Sequence, residues 1–368
     1  MLEIKVLFWV RQDFYTHPGG DSTQALSMLN ALRGMSIDVE ISQDINISLK
    51  KFTHVFIWHL TRIQDSWYYC RKAKDAGKKV ILVDTYWPMP AELPLFSRRR
   101  LAFFYLKTCL RLLINIHVAT TRNMILALLK HGCRAAQQEL LCRVDAHIVN
   151  SEAEKNLLTF YISDIPIFVM HNIPPMDRQN THSERWNDVI CVGHFCPRKN
   201  QKFLISALKT TGLRAMFCGG CRPMHILYYL ACLWHGRDRH SFMGHLPNEQ
   251  VWHFLCASRV NICSSVAETP GIANLEAMQA GCVSVLPDLP PVREYFGNNA
   301  QYFTPGDPFS LRGALTRALS MPTFECISYS QKSMLDELRY IAEKMGIAPK
   351  GNSSMMSFMP FLFPRLHV

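Results

Sequence analysis

Two carboxylates eight residues apart, Glu268 and Glu276, bracket a turn in Glu268-Thr269-Pro270-Gly271-Ile272-Ala273-Asn274-Leu275-Glu276-Ala277-Met278. A helix opening after Gly271 would present unpaired N–H groups and the positive end of its dipole, and a glycine lets a phosphate approach the backbone. Glu268 would then lie at the mouth of the strand ending in Ile262-Cys263, and Glu276 about one turn into the helix. One carboxylate could face a sugar's hydroxyls and the other a ribose diol, with a diphosphate between them. The same letters also fit a capping loop with surface acids. A second candidate, Cys218-Gly219-Gly220-Cys221 with His225 beyond it, has the spacing of half a zinc or redox site. No second ligand pair accompanies it, so a strand that ends at Cys218 and breaks at two glycines is the better reading.

These residues need elements to hold them. Leu2–Val10, Val39–Ile41, Val55–Trp58, Val80–Val83 and Val144–Val149 read as strands, with helical spacing at Ser22–Arg33 and Asp65–Ala76. The polar run Asp177–Asn187 reads as a linker. Beyond it the alternation restarts: strands at Val189–Val192, Ala215–Cys218, Val260–Cys263 and Val283–Leu286, helices at Phe203–Leu208, Val251–Ala257 and Asn274–Ala280. Such alternation predicts α/β units built on parallel sheets. The expected domains are 1–175 and 188–325, followed by a tail, 326–368, that could include a crossover helix.

The run Ser264-Ser265-Val266-Ala267-Glu268 through Glu276-Ala277-Met278-Gln279-Ala280-Gly281 closely resembles the group 1 (family 4) glycosyltransferases. Supporting stretches are Val192-Gly193-His194-Phe195, Pro197-Arg198-Lys199-Asn200, Phe242-Met243-Gly244-His245-Leu246, His171-Asn172-Ile173-Pro174 and Pro18-Gly19-Gly20. The resemblance spans roughly residues 1 to 320 and is stronger in the C-terminal half. It implies the GT-B architecture, two Rossmann-like domains facing a central cleft, and a retaining transfer from a nucleotide sugar. By position, Glu276 would hold the ribose, Glu268 the donor sugar, and the N–H groups near Gly271 and Ile272 the diphosphate. Lys199 would neutralise the departing phosphates, and Gly19 and Gly20 would let the first loop approach the donor.

Two positions depart from the family pattern. His194 stands where an arginine is usual; a neutral imidazole brings no fixed charge, and Arg198 could substitute. Tyr86 stands near the end of the Val80–Val83 strand, where relatives place a histidine close to the sugar. A tyrosine there serves either as a sugar contact or as packing, and His59 is a candidate neighbour. No Asp-x-Asp follows an apolar strand, so the resemblance implies metal-free chemistry and no cofactor beyond the donor. A catalytically silent homologue that binds a glycan or a partner is the alternative reading.

The chain has 368 residues, 48% of them apolar, and a formal net charge of +11, which raises nucleic acid, anionic lipid and phosphorylated substrates together. Between Glu92 and Glu139 there is no acid, and Arg98, Arg99, Arg100, Lys107, Arg111, Arg122, Lys130 and Arg134 all lie in that span. On a helix Arg100, Lys107 and Arg111 fall within about 40° of each other beside a broad apolar face. Arg98–Ile116 therefore fits a helix lying on an anionic membrane, or an ordinary domain helix with a wet basic stripe. Zinc-finger, RNP and helix-turn-helix signatures are lacking, so nucleic acid is not expected. No leader or membrane-spanning run is read at the start, and 13 scattered cysteines suit reduced thiols. The thiols suit a cytoplasmic chain, which the first of the two readings of Arg98–Ile116 would make peripheral at the inner membrane face; a glycan or lipid-linked acceptor is what the resemblance implies.

Overall fold

The computed structural model describes residues 4–16, 19–60, 63–84, 102, 106, 109, 119–172, 184–322 and 331–347. Tyr86, the 98–116 segment apart from three positions, most of the expected linker and the tail beyond 347 lie outside the described residues. The chain divides into two compact units, one running to Asn172 and resumed from Gln331, the other lying between them.

The first unit holds strands β1 (Lys5–Trp9), β2 (Asp38–Ser42), β3 (His54–Trp58), β4 (Lys79–Val83), β5 (Ala146–Val149) and β6 (Ile167–Val169). Its helices are α1 (Gly20–Gly34), α2 (Ile63–Asp75), α3 (Ala119–His131), α4 (Cys133–Arg143) and α5 (Glu152–Leu158). The sheet order is β2-β1-β3-β4-β5-β6 and every pairing is parallel. Strands β1, β3, β4 and β5 are buried over nearly their whole length, as their apolar runs require when helices cover both faces, whereas the edge strands β2 and β6 are mostly half-buried. Leu7, Trp9, Val55, Ile57, Val80 and Leu82 share one core face.

The second unit repeats the scheme with β7 (Asn187–Val192), α6 (Gln201–Leu208), β8 (Ala215–Cys218), α7 (Ile226–Gly236), β9 (Ser241–Gly244) and α8 (Asn248–Cys256). It continues with β10 (Ser258–Ile262), α9 (Ile272–Gln279), β11 (Val283–Pro287), α10 (Pro290–Phe296), β12 (Ala300–Phe303) and α11 (Pro308–Ser320). The order is β12-β11-β10-β7-β8-β9, again with parallel pairings. Alternate residues of β7 enter different cores: Val189 and Cys191 pack with Phe217 and Ile262, Ile190 with Met216 and Leu255. That two-sided burial is the period-2 geometry of a strand expressed in packing.

The last described helix, α12 (Gln331–Met345), belongs to the first unit. Met345 O faces His54 Nε2 at 3.1 Å and accepts from Lys79 Nζ at 3.2 Å, while Glu337 accepts from the His171 backbone N–H at 2.8 Å.

Candidate functional site

In an open parallel sheet, the loops leaving two adjacent strands diverge where the strand order reverses, and that crevice at the carboxyl ends is where ligands bind. In the second unit the order reverses between β7 and β10, which are direct neighbours, with Val260 opposite Val189. The loop after β7 carries Gly193, His194, Arg198 and Lys199, the last two in a 3-10 turn, Pro197–Lys199. The loop after β10 carries Cys263 to Gly271 and feeds α9. Topology alone therefore brings the two sequence motifs together.

The loops are tied by backbone and side chain. Val266 N donates to Arg198 O at 2.9 Å, and Ser264 Oγ to Lys199 O at 2.8 Å. Within this frame Lys199 Nζ lies 2.5 Å from Glu268 Oε2. Ser265 Oγ donates to the same carboxylate oxygen at 2.7 Å, and Arg198 reaches within 3.7 Å of Oε1 while donating to Ala267 O at 2.8 Å. Glu268 is only 5% exposed, so this carboxylate is held by its partners rather than by water. Burial alone would raise its pKa; Lys199 and Arg198 outweigh that and hold it at about 2. Burial likewise opposes the charge on Lys199, and Glu268 raises its pKa in spite of that. The result is a pre-aligned carboxylate and ammonium at the mouth of the sheet.

Gly271 caps α9 with φ +87°, and a Cβ there would meet Asn274 Nδ2 at 2.7 Å and Glu268 Cδ at 3.1 Å. Both the conformation and the space exclude a side chain. Asn274 Nδ2 donates to Pro270 O at 2.9 Å and Asn274 Oδ1 accepts from Asn261 Nδ2 at 3.2 Å, so the turn is fastened to β10 and to its own helix. The α9 terminus behind Gly271 and Ile272 thus has fixed N–H groups adjacent to Glu268, a geometry suited to an anion. Glu276 is half-buried one turn into α9.

In the first unit the order reverses between β1 and β3. Gly19 caps α1 in extended conformation, Gly20 is its first residue, and a Cβ on Gly19 would lie 2.8 Å from Asp21 Oδ1. Asp21 Oδ2 accepts from Arg11 Nε at 2.6 Å and faces His59 Nε2 at 2.9 Å. Against its burial, His59 and Arg11 drive the Asp21 carboxyl far below the usual range. Beside them, Asp84 Oδ2 lies 2.6 Å from His147 Nδ1, whose Nε2 faces Leu141 O at 3.0 Å. Burial disfavours charge on His147, yet Asp84 raises its pKa, and two acceptors on one ring suit the doubly protonated form.

Of the residues singled out in the sequence, Lys199, Arg198, Glu268 and Gly271 converge. Ile272 and Glu276 sit on the helix that Gly271 opens. His194 is exposed at the same loop, its carbonyl accepting from Gln201 Nε2 at 2.9 Å. Gly19 and Gly20 belong to the first unit, and Tyr86 lies outside the described residues. Ser265, Cys263 and Asn274 were not foreseen as site residues, nor were Arg11, Asp21, Asp84 and His147. Among the described residues no group of three His, Cys, Asp or Glu side chains is placed to hold a metal ion, and the Cys218-x-x-Cys221 pair is a strand end with free thiols.

The profile of the group 1 glycosyl transferases matches residues 172–335. Among curated proteins the sequence finds no match. Solved structures resemble it over nearly the whole chain. Sucrose-phosphate synthase from Thermosynechococcus elongatus is 13% identical with a TM-score of 0.64, the match covering 94% of this chain and 95% of that one. HepE from Anabaena, solved in complex with UDP, is 16% identical with a TM-score of 0.57, covering 93% and 95%. WaaG, a glycosyltransferase involved in lipopolysaccharide biosynthesis, is 15% identical with a TM-score of 0.53, covering 94% and 100%. The two parallel six-stranded sheets, the switch-point loops and the matching profile lead to one statement: the chain has the GT-B fold, and its residues 172–335 match the group 1 glycosyl transferases.

Proposed function

We propose that this protein transfers a sugar from a nucleotide-diphosphate donor to a glycan or lipid-linked acceptor, with retention and without a metal, in surface polysaccharide or glycolipid assembly. The observation that carries the reading is the Lys199–Glu268 pair fixed beside the N-terminus of α9. In this reading the diphosphate lies against the Gly271 and Ile272 N–H groups, Lys199 meets its oxygens, and Glu276 takes the ribose diol. Glu268 is ionised and faces the donor sugar. The bond from the anomeric carbon to the diphosphate breaks, and the bond to the acceptor oxygen forms on the same face. The acceptor's proton passes to the departing diphosphate, whose growing charge Lys199 and the helix terminus stabilise. Arg198 supplies the second cation, where the family pattern has an arginine in place of His194. This reading keeps Tyr86, Gly19 and Gly20 as donor contacts contributed by the first unit's sequence, and the basic segment Arg98–Ile116 holds the protein at the inner face of an anionic membrane.

The HepE complex makes UDP the first nucleotide to try. A nucleotide at 100 times its dissociation constant should stabilise the chain by about 2.7 kcal/mol, read as a rise in melting temperature. Lys199→Ala should abolish that rise, and the wild type should slowly hydrolyse a bound donor without acceptor. A chain that binds no nucleoside diphosphate, and is indifferent to Glu276→Ala, is instead a silent GT-B homologue.

A further inference from the structure

Helix α7 has the sequence ILYYLACLWHG, without a single acid or permanently charged residue. Its inner side follows the usual rule: Cys232 is fully buried, and Tyr228 and Tyr229 pack against the second unit's core. Its outer side does not. Leu227 is 80% exposed, Leu230 50% and Trp234 67%. On a helix these three fall within an arc of about 60°. Met224 and Ile226 prolong the same surface at the N-terminal end, also exposed. The other large exposed apolar side chains among the described residues are scattered singly. A lone exposed leucine needs no explanation, but a contiguous stripe on a helix marks a place that something covers.

The rim identifies the cover. The Arg237 guanidinium lies over the Trp234 ring at 4.4 Å. Arg222 precedes the stripe and Arg239 follows it, against a single acid, Asp238, that lies 3.7 Å from Arg237. A second copy docking face to face would bring each arginine rim against its equal, which like charge opposes. Apolar side chains flanked by a Trp–Arg pair and further arginines match the boundary of an anionic bilayer instead. There leucines enter the acyl region and the indole and guanidinium stay at headgroup level.

We propose that the outer face of α7, carried by Leu227, Leu230 and Trp234, docks on an anionic lipid surface. The surface is distinct from the 98–116 segment and owes nothing to Lys199 or Glu268, so it stands whether or not the donor reading does. The test is flotation of the full chain with phosphatidylcholine vesicles, with and without phosphatidylglycerol. The wild type should float with the anionic vesicles only, and its tryptophan emission should shift to the blue. Leu227→Gln with Leu230→Gln leaves every charge in place and should lower the partition coefficient at least about tenfold. Arg237→Gln should weaken it less. Trp234→Phe should still float but lose the emission shift. Because these side chains are exposed, unchanged circular dichroism and melting temperature verify that the variants fold. Four results would each overturn the proposal. These are no flotation of the wild type, flotation indifferent to lipid charge, a double variant that floats as well as the wild type, and a dimer in solution that the double variant abolishes while vesicles are ignored.

Discussion

At the scale of single residues, Glu268 is a tightly constrained acid. It is buried, two cations face it, and Ser265 donates to it. Its folded pKa of about 2 lies below the unfolded value near 4.3, so the sign of the linkage is fixed. Its contribution is complete above about pH 4.3, declines below that, and is gone once pH falls through about 2. The extra acid lability of the wild type relative to Glu268→Gln, followed by denaturant melts across that window, should vanish below it. At neutral pH the same variant leaves Lys199 without its carboxylate and should cost about 3 kcal/mol, with transfer activity reduced at least about a hundredfold. Gly271→Ala tests the neighbouring turn. A Cβ would strain a backbone at φ +87° and press on both Asn274 and Glu268, so nucleotide affinity should drop along with about 1–3 kcal/mol of stability. The spacing of the two glutamates around a Pro-Gly turn pointed to Glu268 and Gly271, while Lys199 was legible only through the resemblance to a known family. Ser265 and Asn274 have no such signature, since small polar loop residues occur everywhere. Arg11, Asp21 and His59 come from three separate segments and are joined only by the sheet's topology.

Among elements, the alternation of strands and helices was readable wherever burial made the pattern strong, as in β1, β3, β4, β7 and β10. The misses have physical causes. Strands β6, β9 and β12 are short and lie at or next to sheet edges, with β6 and β9 only partly buried, so their composition is diluted. Helix α7 is apolar on its exposed side as well as its buried one, so its letters do not separate a core face from a solvent face. A close backbone approach explains the first glycine inside the Cys218-x-x-Cys221 letters. A Cβ on Gly219, at φ +151°, would stand 2.2 Å from Gly193 O, where the loop to Lys199 begins. Gly219→Ala must push the ends of β7 and β8 apart, displacing that loop. It should lower stability by about 1–3 kcal/mol and weaken the UDP-induced rise in melting temperature. Gly212→Ala, where φ is +72° but no atom lies within 4 Å, carries the backbone strain alone and should leave UDP binding intact.

Across the whole molecule, the chain leaves its first unit at Asn172, builds the second, and returns at Gln331. The returning helix is not an appendage. Leu338, Ile341, Ala342 and Ile347 are almost fully buried, and Met345 O is held by both His54 and Lys79. Glu337 meets the His171 backbone and ring, at the point where the first unit's chain ends. From the sequence this stretch reads only as part of a tail, 326–368, that could include a crossover helix, because its packing partners lie nearly 300 residues earlier in the chain. This arrangement makes a prediction that separates the units. Leu338→Ala opens a cavity in the first unit and should cost about 2–5 kcal/mol there. If the returning helix is part of that unit's core, amide exchange should accelerate in β1, β3 and β4 while β7, β10 and α9 keep their protection, and UDP should still protect the second unit. Equal loss of protection in both units would mean that they unfold as one body. Unchanged protection in β1 and β3 would mean that α12 contributes nothing to the first core.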